Sequence, residues 1–268
     1  MGQKTIRMRT ELLKTLTFSK KREKLLLLLK DGPKTLEDIR TSLKVTSSAI
    51  IPQIRKLEGQ NLVRQEYKNY VLTGTGVLII EAFNSLVKTI EITQKYEEFW
   101  EHHDTKAIPQ HLSKRIDELN DCILIESNLN KIYEPHEQFM EALPRSKNVK
   151  TISPVFHPSY PSLFLPLAEK GIDVSIILTE EVFERVKNEY TDTLQRYLTL
   201  PTARLYVSDE DIRLACGITD GIFCLSLFFK NEGYDPQRDL LSYTHSAIKW
   251  GEDLFDHFLK KSKEIKSV

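Results

Sequence analysis

Cysteine is nearly missing from this chain, with Cys122, Cys216 and Cys224 the only three among 268 residues. An odd, widely spaced set gives no disulfide framework, which fits a reducing cytoplasm. Glycine is scarce too, at ten residues, and none of it forms a Gly-rich loop able to cradle a phosphate. Long apolar runs are absent: the longest, Leu25–Leu29, is five residues flanked by lysines, against roughly 20 for a membrane-crossing helix. Gly2–Lys14 is polar and charged, so no secretory signal is expected. What remains is 40% hydrophobic and 28% charged, the composition expected of a soluble globular protein. Its length suits one large or two ordinary domains.

Net charge is also absent, but the zero hides a division. Residues 1–95 hold 18 Lys+Arg against 9 Asp+Glu, a net of +9. Residues 96–268 hold the other 20 against 29, a net of −9. Such a split points to an anionic partner for the first part alone, since the second part repels a phosphate backbone. The plainer alternative is a solvated basic surface.

Within the basic part, Thr10–Phe18 reads as a short amphipathic helix. Ser19 can cap the next, which stops at Asp31-Gly32-Pro33. Thr35 caps a third, with Glu37 and Asp38 in its first turn and Leu36, Ile39 and Leu43 inward. Thr46 can then cap a helix whose Ile50, Ile54 and Leu57 recur at the spacing of one buried stripe. Asn61 ends it, because Asn tolerates the left-handed backbone that such a stop needs. Two β-prone runs, Leu62–Tyr67 and Tyr70–Leu72, flank a Lys68-Asn69 turn and read as a hairpin. Thr73 caps a last long helix with Val77, Ile80, Phe83, Val87 and Ile90 three or four apart. Helix, helix, turn, helix, hairpin, helix is the order of a winged helix-turn-helix.

That order gives chemistry to the exposed side of Val45–Val63. A helix fits the major groove of B-form DNA, where its first residues meet base edges and flanking groups hold phosphates. Thr46, Ser47, Ser48 and Gln53 can bond bases or phosphates, and Ile51 can meet a thymine methyl. Arg55 and Lys56 reach phosphates from the helix, Arg64 and Lys68 from the wing. Each could equally be a solvated side chain; the set carries the reading. Pro52 is the irregularity, since it removes an amide from the helix interior at a cost of about 3 kcal/mol. A kinked or loosened start is therefore expected, unless the helix merely tolerates Pro on its exposed side.

Glu97–Pro109 is charged and ends in proline, so the linker is placed at residues 96–109, between domains at 1–95 and 110–268. His102 and His103 are adjacent and point apart on a helix, which argues against a shared metal. From there strands and helices alternate: strands at Cys122–Glu126, Val149–Ser153, Asp173–Leu178, Ala203–Val207, Cys216–Thr219 and Phe223–Phe228. Helices are expected at His111–Leu119, Pro135–Leu143, Ser162–Glu169, Glu180–Tyr190, Thr193–Leu198 and His245–Lys261. This is an α/β sheet layered with helices. The loop after Ser153 is stiffened by three prolines and carries His157 and Tyr160. In open α/β sheets ligands bind past the carboxyl ends of strands, so these two are candidate ligand contacts or, more plainly, satisfied structural groups.

Catalysis finds no support. A phospholipase-D-type site needs His-x-Lys-x4-Asp, but His157 is followed by Pro-Ser and His245 by Ser-Ala. Cys216 and Cys224 sit in apolar β-prone runs and read as core. No catalytic residue, metal or cofactor is expected.

The segments GPKTLEDIRTSLKVTSSAIIPQIRKL, FHPSYPSLFLPLAEKGIDVSIILTEEVFERV and SAIKWGEDLF together resemble archaeal winged-helix regulators of the methanogenesis-regulator type. The likeness runs from about Phe18 to Phe258. It implies transcriptional regulation in an archaeal cytoplasm, by a winged helix joined to an α/β domain; it names no effector. One departure is Asn61, where winged helices often carry Gly.

The expected fold class is thus α+β and multidomain, an N-terminal winged helix-turn-helix followed by an α/β sheet domain for sensing or oligomerisation. The expected partners are double-stranded DNA, a second copy of the chain through the long helix after the wing, and an unidentified small-molecule effector; no membrane is involved. The alternative is a winged helix used for protein contacts, with an α/β ligand-binding domain and no specific DNA target.

Overall fold

The computed structural model describes residues 2–127, 136–231 and 233–268. They fall into two compact units, Met1–Val87 and Lys88–Val268.

The first unit begins with α1 (Gly2–Thr17), longer than the Thr10–Phe18 helix expected, followed by α2 (Lys20–Lys30). Next come β1 (Lys34–Thr35), α3 (Leu36–Leu43), α4 (Ser47–Gly59), β2 (Val63–Glu66), β3 (Asn69–Leu72) and α5, which spans Gly74–Lys95. Capping sets the boundaries. Ser19 Oγ accepts from the Arg22 amide at 3.4 Å, and Thr35 forms a reciprocal capping box with Asp38. Thr73 Oγ1 accepts from the Gly76 amide at 2.9 Å. Thr46 occupies the cap position of α4 but makes no capping bond; its hydroxyl lies 3.0 Å from Ser48 Oγ instead.

Asn61 has φ +55°, the left-handed stop its side chain tolerates. The wing turns one residue earlier than its sequence suggests: Glu66 pairs with Asn69, so Tyr67-Lys68 is the loop and Tyr67, not Asn69, takes φ +55°. The two-residue β1, which was not anticipated, joins the hairpin in the order β1-β3-β2. Leu25, Leu26, Ile39, Ile50, Ile54 and Leu57 are buried together, each contributing roughly 1.5–3 kcal/mol by leaving water. Leu36 and Leu43 only border this core. On α5 the apolar stripe divides: Ile80 and Phe83 are buried, whereas Val77 and Ile90 are exposed, because an i+3/i+4 row drifts around a straight helix. Gly76 is required where it stands, since a Cβ there falls 2.0 Å from the Leu62 carbonyl oxygen.

The second unit is an eight-stranded sheet. Its members are β4 (Ile123–Glu126), β5 (Asn148–Ser153), β6 (Asp173–Thr179), β7 (Ala203–Ser208), β8 (Leu214–Thr219), β9 (Phe223–Leu227), β10 (Arg238–Ser242) and β11 (Ser262–Ile265). They lie in the order β11-β7-β6-β5-β8-β9-β10-β4. β5, β6 and β7 are parallel, and the remaining pairings are antiparallel. β10 and β11 were not foreseen, because Arg238-Asp239 and Ser262-Lys263-Glu264 lack the apolar alternation of a strand. Alternate residues of β6 enter two different cores, Val174, Ile176 and Leu178 on one side and Ile177 on the other, as the period of two requires. The helices α9 (Tyr160–Glu169), α10 (Glu180–Glu189) and α11 (Thr191–Leu198) cover the first face. α12 (His245–Leu259) covers the second, with Trp250 fully buried and its indole N–H donating to the Leu112 carbonyl at 3.1 Å.

Residues 96–109 are no linker. They form α6 (Glu97–His102) and a short 3-10 turn, and Phe99 and Ile108 belong to the core of the second unit. Charge on Glu97, Glu98 and Glu101 faces solvent and disguised this packing. His103 is buried as well, its Nε2 3.0 Å from Asp235 Oδ2 and its ring stacked on Phe229. The single helix expected at His111–Leu119 is instead α7 (Gln110–Ser113) and a 3-10 turn at Ile116–Leu119. α8 (Glu137–Ala142) lies within the helix expected at Pro135–Leu143, whose first residue is outside the described ones. α12 stops two residues short of Lys261.

Candidate functional site

The helix α4 runs from Ser47 to Gly59 with Pro52 inside it. Ile50, Ile54 and Leu57 fix one side in the core. That leaves Thr46, Ser48, Pro52, Arg55 and Lys56 exposed, with Ser47, Ile51 and Gln53 half-buried. Pro52 therefore sits on the solvent side, where the carbonyl left without its amide partner can bind water. Hydroxyls at the N-terminal turn and two cations further along are the distribution a groove-reading helix needs.

Gln53 is already engaged. Its Oε1 accepts from Arg22 Nη1 at 2.8 Å, and the buried Arg22 also donates to the carbonyls of Thr15 at 2.6 Å and Lys14 at 3.3 Å. Arg22 thus ties α1, α2 and α4 together, and the amide N–H2 of Gln53 stays outside this set of bonds. On the wing, Lys68 is exposed at the turn, while Arg64 pairs with Glu66 at 2.5 Å, so part of its charge is spent locally. Tyr67 at the tip is wholly exposed. The sequence reading passed over it because tyrosine is an ordinary strand residue; its place in the turn follows only from the register.

The second unit contains a cavity of about 410 Å3 beside the carboxyl end of β5. His157 and Tyr160 both line it, their rings stacked with centroids 4.9 Å apart. His157 Nδ1 accepts from the Ser159 amide at 3.2 Å, which places a ring proton on Nε2. A smaller cavity of about 60 Å3 shares the wall formed by Phe156, His157, Tyr160 and Phe164. Across the larger one stands Asp239 on β10, a residue with no sequence signal because its strand had none. It accepts from Ser226 Oγ, from Cys224 Sγ at 3.4 Å and from His136 Nε2 at 2.9 Å. Burial, then the charge of Asp239, push the Tyr160 and Tyr234 phenols and the Cys216 and Cys224 thiols above their ordinary values. Burial likewise pushes Cys122 up to about 12. Thiols held in this way are poor nucleophiles. Among the described residues no cluster of His, Cys, Asp and Glu suits a metal ion, and no helix is long and apolar enough to cross a membrane.

Two family models match the chain. That of the methanogenesis regulatory protein FilR1, N-terminal domain, covers residues 10–91, and that of the FilR1 middle domain covers residues 132–261. The methanogenesis regulatory protein FilR1 of Methanothrix harundinacea (strain 6Ac) is 24% identical over 245 residues, 90% of this chain and 55% of that protein. The chain therefore spans about half the length of this curated relative. Among solved structures, the archaeal chromatin protein TrmBL2, described as showing a novel mode of DNA binding, is 15% identical. The match covers 95% of this chain and 98% of that one, with a TM-score of 0.43. The phospholipase D family member Nuc from Salmonella typhimurium is 12% identical over 55% of this chain and 98% of its own, with a TM-score of 0.39. At such TM-scores neither likeness carries an argument.

Proposed function

The chain belongs to the methanogenesis regulatory protein FilR1 family through that family's N-terminal and middle domains, and on that premise we propose that it is a sequence-specific DNA-binding transcriptional regulator. The observation that carries the reading is the exposed face of α4. Thr46, Ser48, Arg55 and Lys56 stand free of the core beside a hairpin tipped by Tyr67 and Lys68. In this reading the first turn of α4 meets base edges, with Ser47, Ile51 and the Gln53 amide at its margin. Arg55, Lys56, Lys68 and Arg64 hold phosphates. The acidic second unit stays off the duplex and acts as the effector-sensing part, with His157 and Tyr160 in its binding cavity. The setting is the cytoplasm, and no catalysis is involved.

A second copy completes the site. One small winged helix makes few phosphate contacts, and joining two raises affinity through effective concentration. Leu78, Leu86 and Ile90 on α5 are exposed at 72%, 52% and 44%, apolar side chains that pairing of this helix with a second copy would cover. Sedimentation as a monomer at micromolar concentration contradicts the dimer.

Retardation of duplex DNA over a range of salt tests the central reading. Upstream DNA is expected to bind more tightly than random duplex, and Arg55→Ala with Lys56→Ala to weaken both. If neither holds, the winged helix serves protein contacts instead.

A further inference from the structure

The cavity beside β5 has a chemistry of its own. Among its described lining residues Asp239 is the one carboxylate, and neither Lys nor Arg is present. The basic group nearest to hand is His136, whose Nε2 lies 2.9 Å from Asp239 Oδ2 and whose Nδ1 lies 3.3 Å from Ser127 Oγ. The Nε2–H donates to the carboxylate, and the Ser127 hydroxyl meets Nδ1 from the other side. Among the described lining residues, neither lysine nor arginine stands against the Asp239 carboxylate. Ser127 is not among the lining residues, so the Ser127–His136–Asp239 line positions the carboxylate and presents no nucleophile.

The rest of the wall is aromatic. Phe139, Phe156, Tyr160, Phe164 and Tyr234 all face the space, and the Phe139 ring lies so close to β8 that a Cβ on Gly217 falls 2.5 Å from its Cζ. The Tyr160 hydroxyl makes no hydrogen bond among the described residues. A fixed carboxylate in a wall that also holds several aromatic rings offers a positive charge two attractions, the carboxylate and the ring quadrupoles. An anion meets the Asp239 carboxylate with neither lysine nor arginine among the described lining residues to offset it. A volume of about 410 Å3 is in the range of small-molecule sites, about 300–1,000 Å3.

We propose that this cavity binds a small organic cation, an amine or alkylammonium compound, with its charge against Asp239 and its carbon shell on Tyr160, Tyr234 and Phe156. The site rests on the cavity; its role as the effector site rests on the regulator reading above. Ring faces bind a methylated ammonium without needing donors from it, and Asp239, already holding three donors, needs no more than charge.

Calorimetric titration of the full chain tests this with choline, with 3,3-dimethylbutanol as its uncharged carbon counterpart, and with benzyltrimethylammonium against anionic phenylacetate. Both cations are expected to bind, choline at least about tenfold more tightly than the alcohol, and phenylacetate not at all. Tyr160→Leu is expected to weaken choline about fivefold and Asp239→Asn at least about tenfold. Asp239 also anchors Ser226 and His136, so the asparagine variant counts only if its circular dichroism is unchanged; the comparison of cation with alcohol needs no variant. Equal binding of choline and the alcohol, binding of phenylacetate alone, or no heat from either cation at millimolar concentration overturns the proposal. DNA retardation by the ligand-free chain is measured separately, so a cation result of either sign leaves the regulator reading to its own test.

Discussion

Arg22 Nη1 donates to Gln53 Oε1 across 2.8 Å, joining a buried guanidinium on α2 to the helix proposed to read DNA. With its bonds to the Thr15 and Lys14 carbonyls, Arg22 sets where α4 stands relative to α1 and α2. Arg22→Met removes the charge and leaves three acceptors without this donor. The first unit is expected to lose about 3 kcal/mol, with Arg22→Lys intermediate because an ammonium cannot span the same fork. Urea unfolding followed by circular dichroism checks it; an unchanged midpoint for Arg22→Met contradicts it.

Tyr67 at the wing tip holds φ +55° with its side chain wholly exposed. A residue there contributes no packing, and glycine adopts that backbone without a Cβ conflict. Tyr67→Gly is expected to leave stability within about 0.5 kcal/mol while weakening duplex binding about fivefold, at a cost of roughly 1 kcal/mol. Thermal melts and fluorescence anisotropy with labelled duplex report the two separately. A variant that binds DNA as wild type removes Tyr67 from the interface.

Gly76 admits the Leu62 carbonyl where a Cβ falls 2.0 Å from it. Gly76→Ala improves helix propensity by about 1 kcal/mol, yet the clash is with backbone, which yields only by shifting α5 from the hairpin. A net loss of about 2 kcal/mol or more is expected, read as a lower melting temperature. A stabilised variant refutes the close approach.

Asp235 is buried beneath the second unit's surface, against His103 and Arg238. Burial raises its pKa, but hydrogen bonds from His103, from the Gln237 amide and from Arg238 outweigh that and leave it below the ordinary value. A native carboxyl pKa below the unfolded one, about 3.9, contributes stability in full above the unfolded value. That contribution fades as pH falls through the native one. Asp235→Asn is expected to cost about 2 kcal/mol at neutral pH, with the gap to wild type closing below about pH 4. Denaturant titrations at several pH values measure it; a gap that widens in acid contradicts the assignment.

Much of the first unit was legible because its boundaries are local chemistry: Ser19, Thr35 and Thr73 each start a helix through their own side chains, and Asn61 takes the left-handed backbone just past α4. Register was less so. The choice between Tyr67-Lys68 and Lys68-Asn69 as the turn depends on pairing Glu66 with Asn69, which no single residue announces. Residues 96–109 were misread because outward Glu97 and Glu98 concealed inward Phe99 and His103. The cavity was half legible. His157 and Tyr160 stood out beside three prolines, but Asp239 belongs to a strand made by its neighbours, β9 and β4, rather than by its own pattern. The bond from Arg22 to Gln53 spans 31 positions and lies beyond any local rule.

The most direct measurement is selection of genomic fragments by the full chain, followed by salt titration on the fragments recovered. The account predicts a recurrent sequence bound far more tightly than random duplex. Ser48→Ala should relax its preference, and Arg55→Ala with Lys56→Ala should lower the salt slope by about 2 without changing which sequence is preferred. Fragments with no sequence in common, bound no better than random duplex and unaffected by these changes, contradict it.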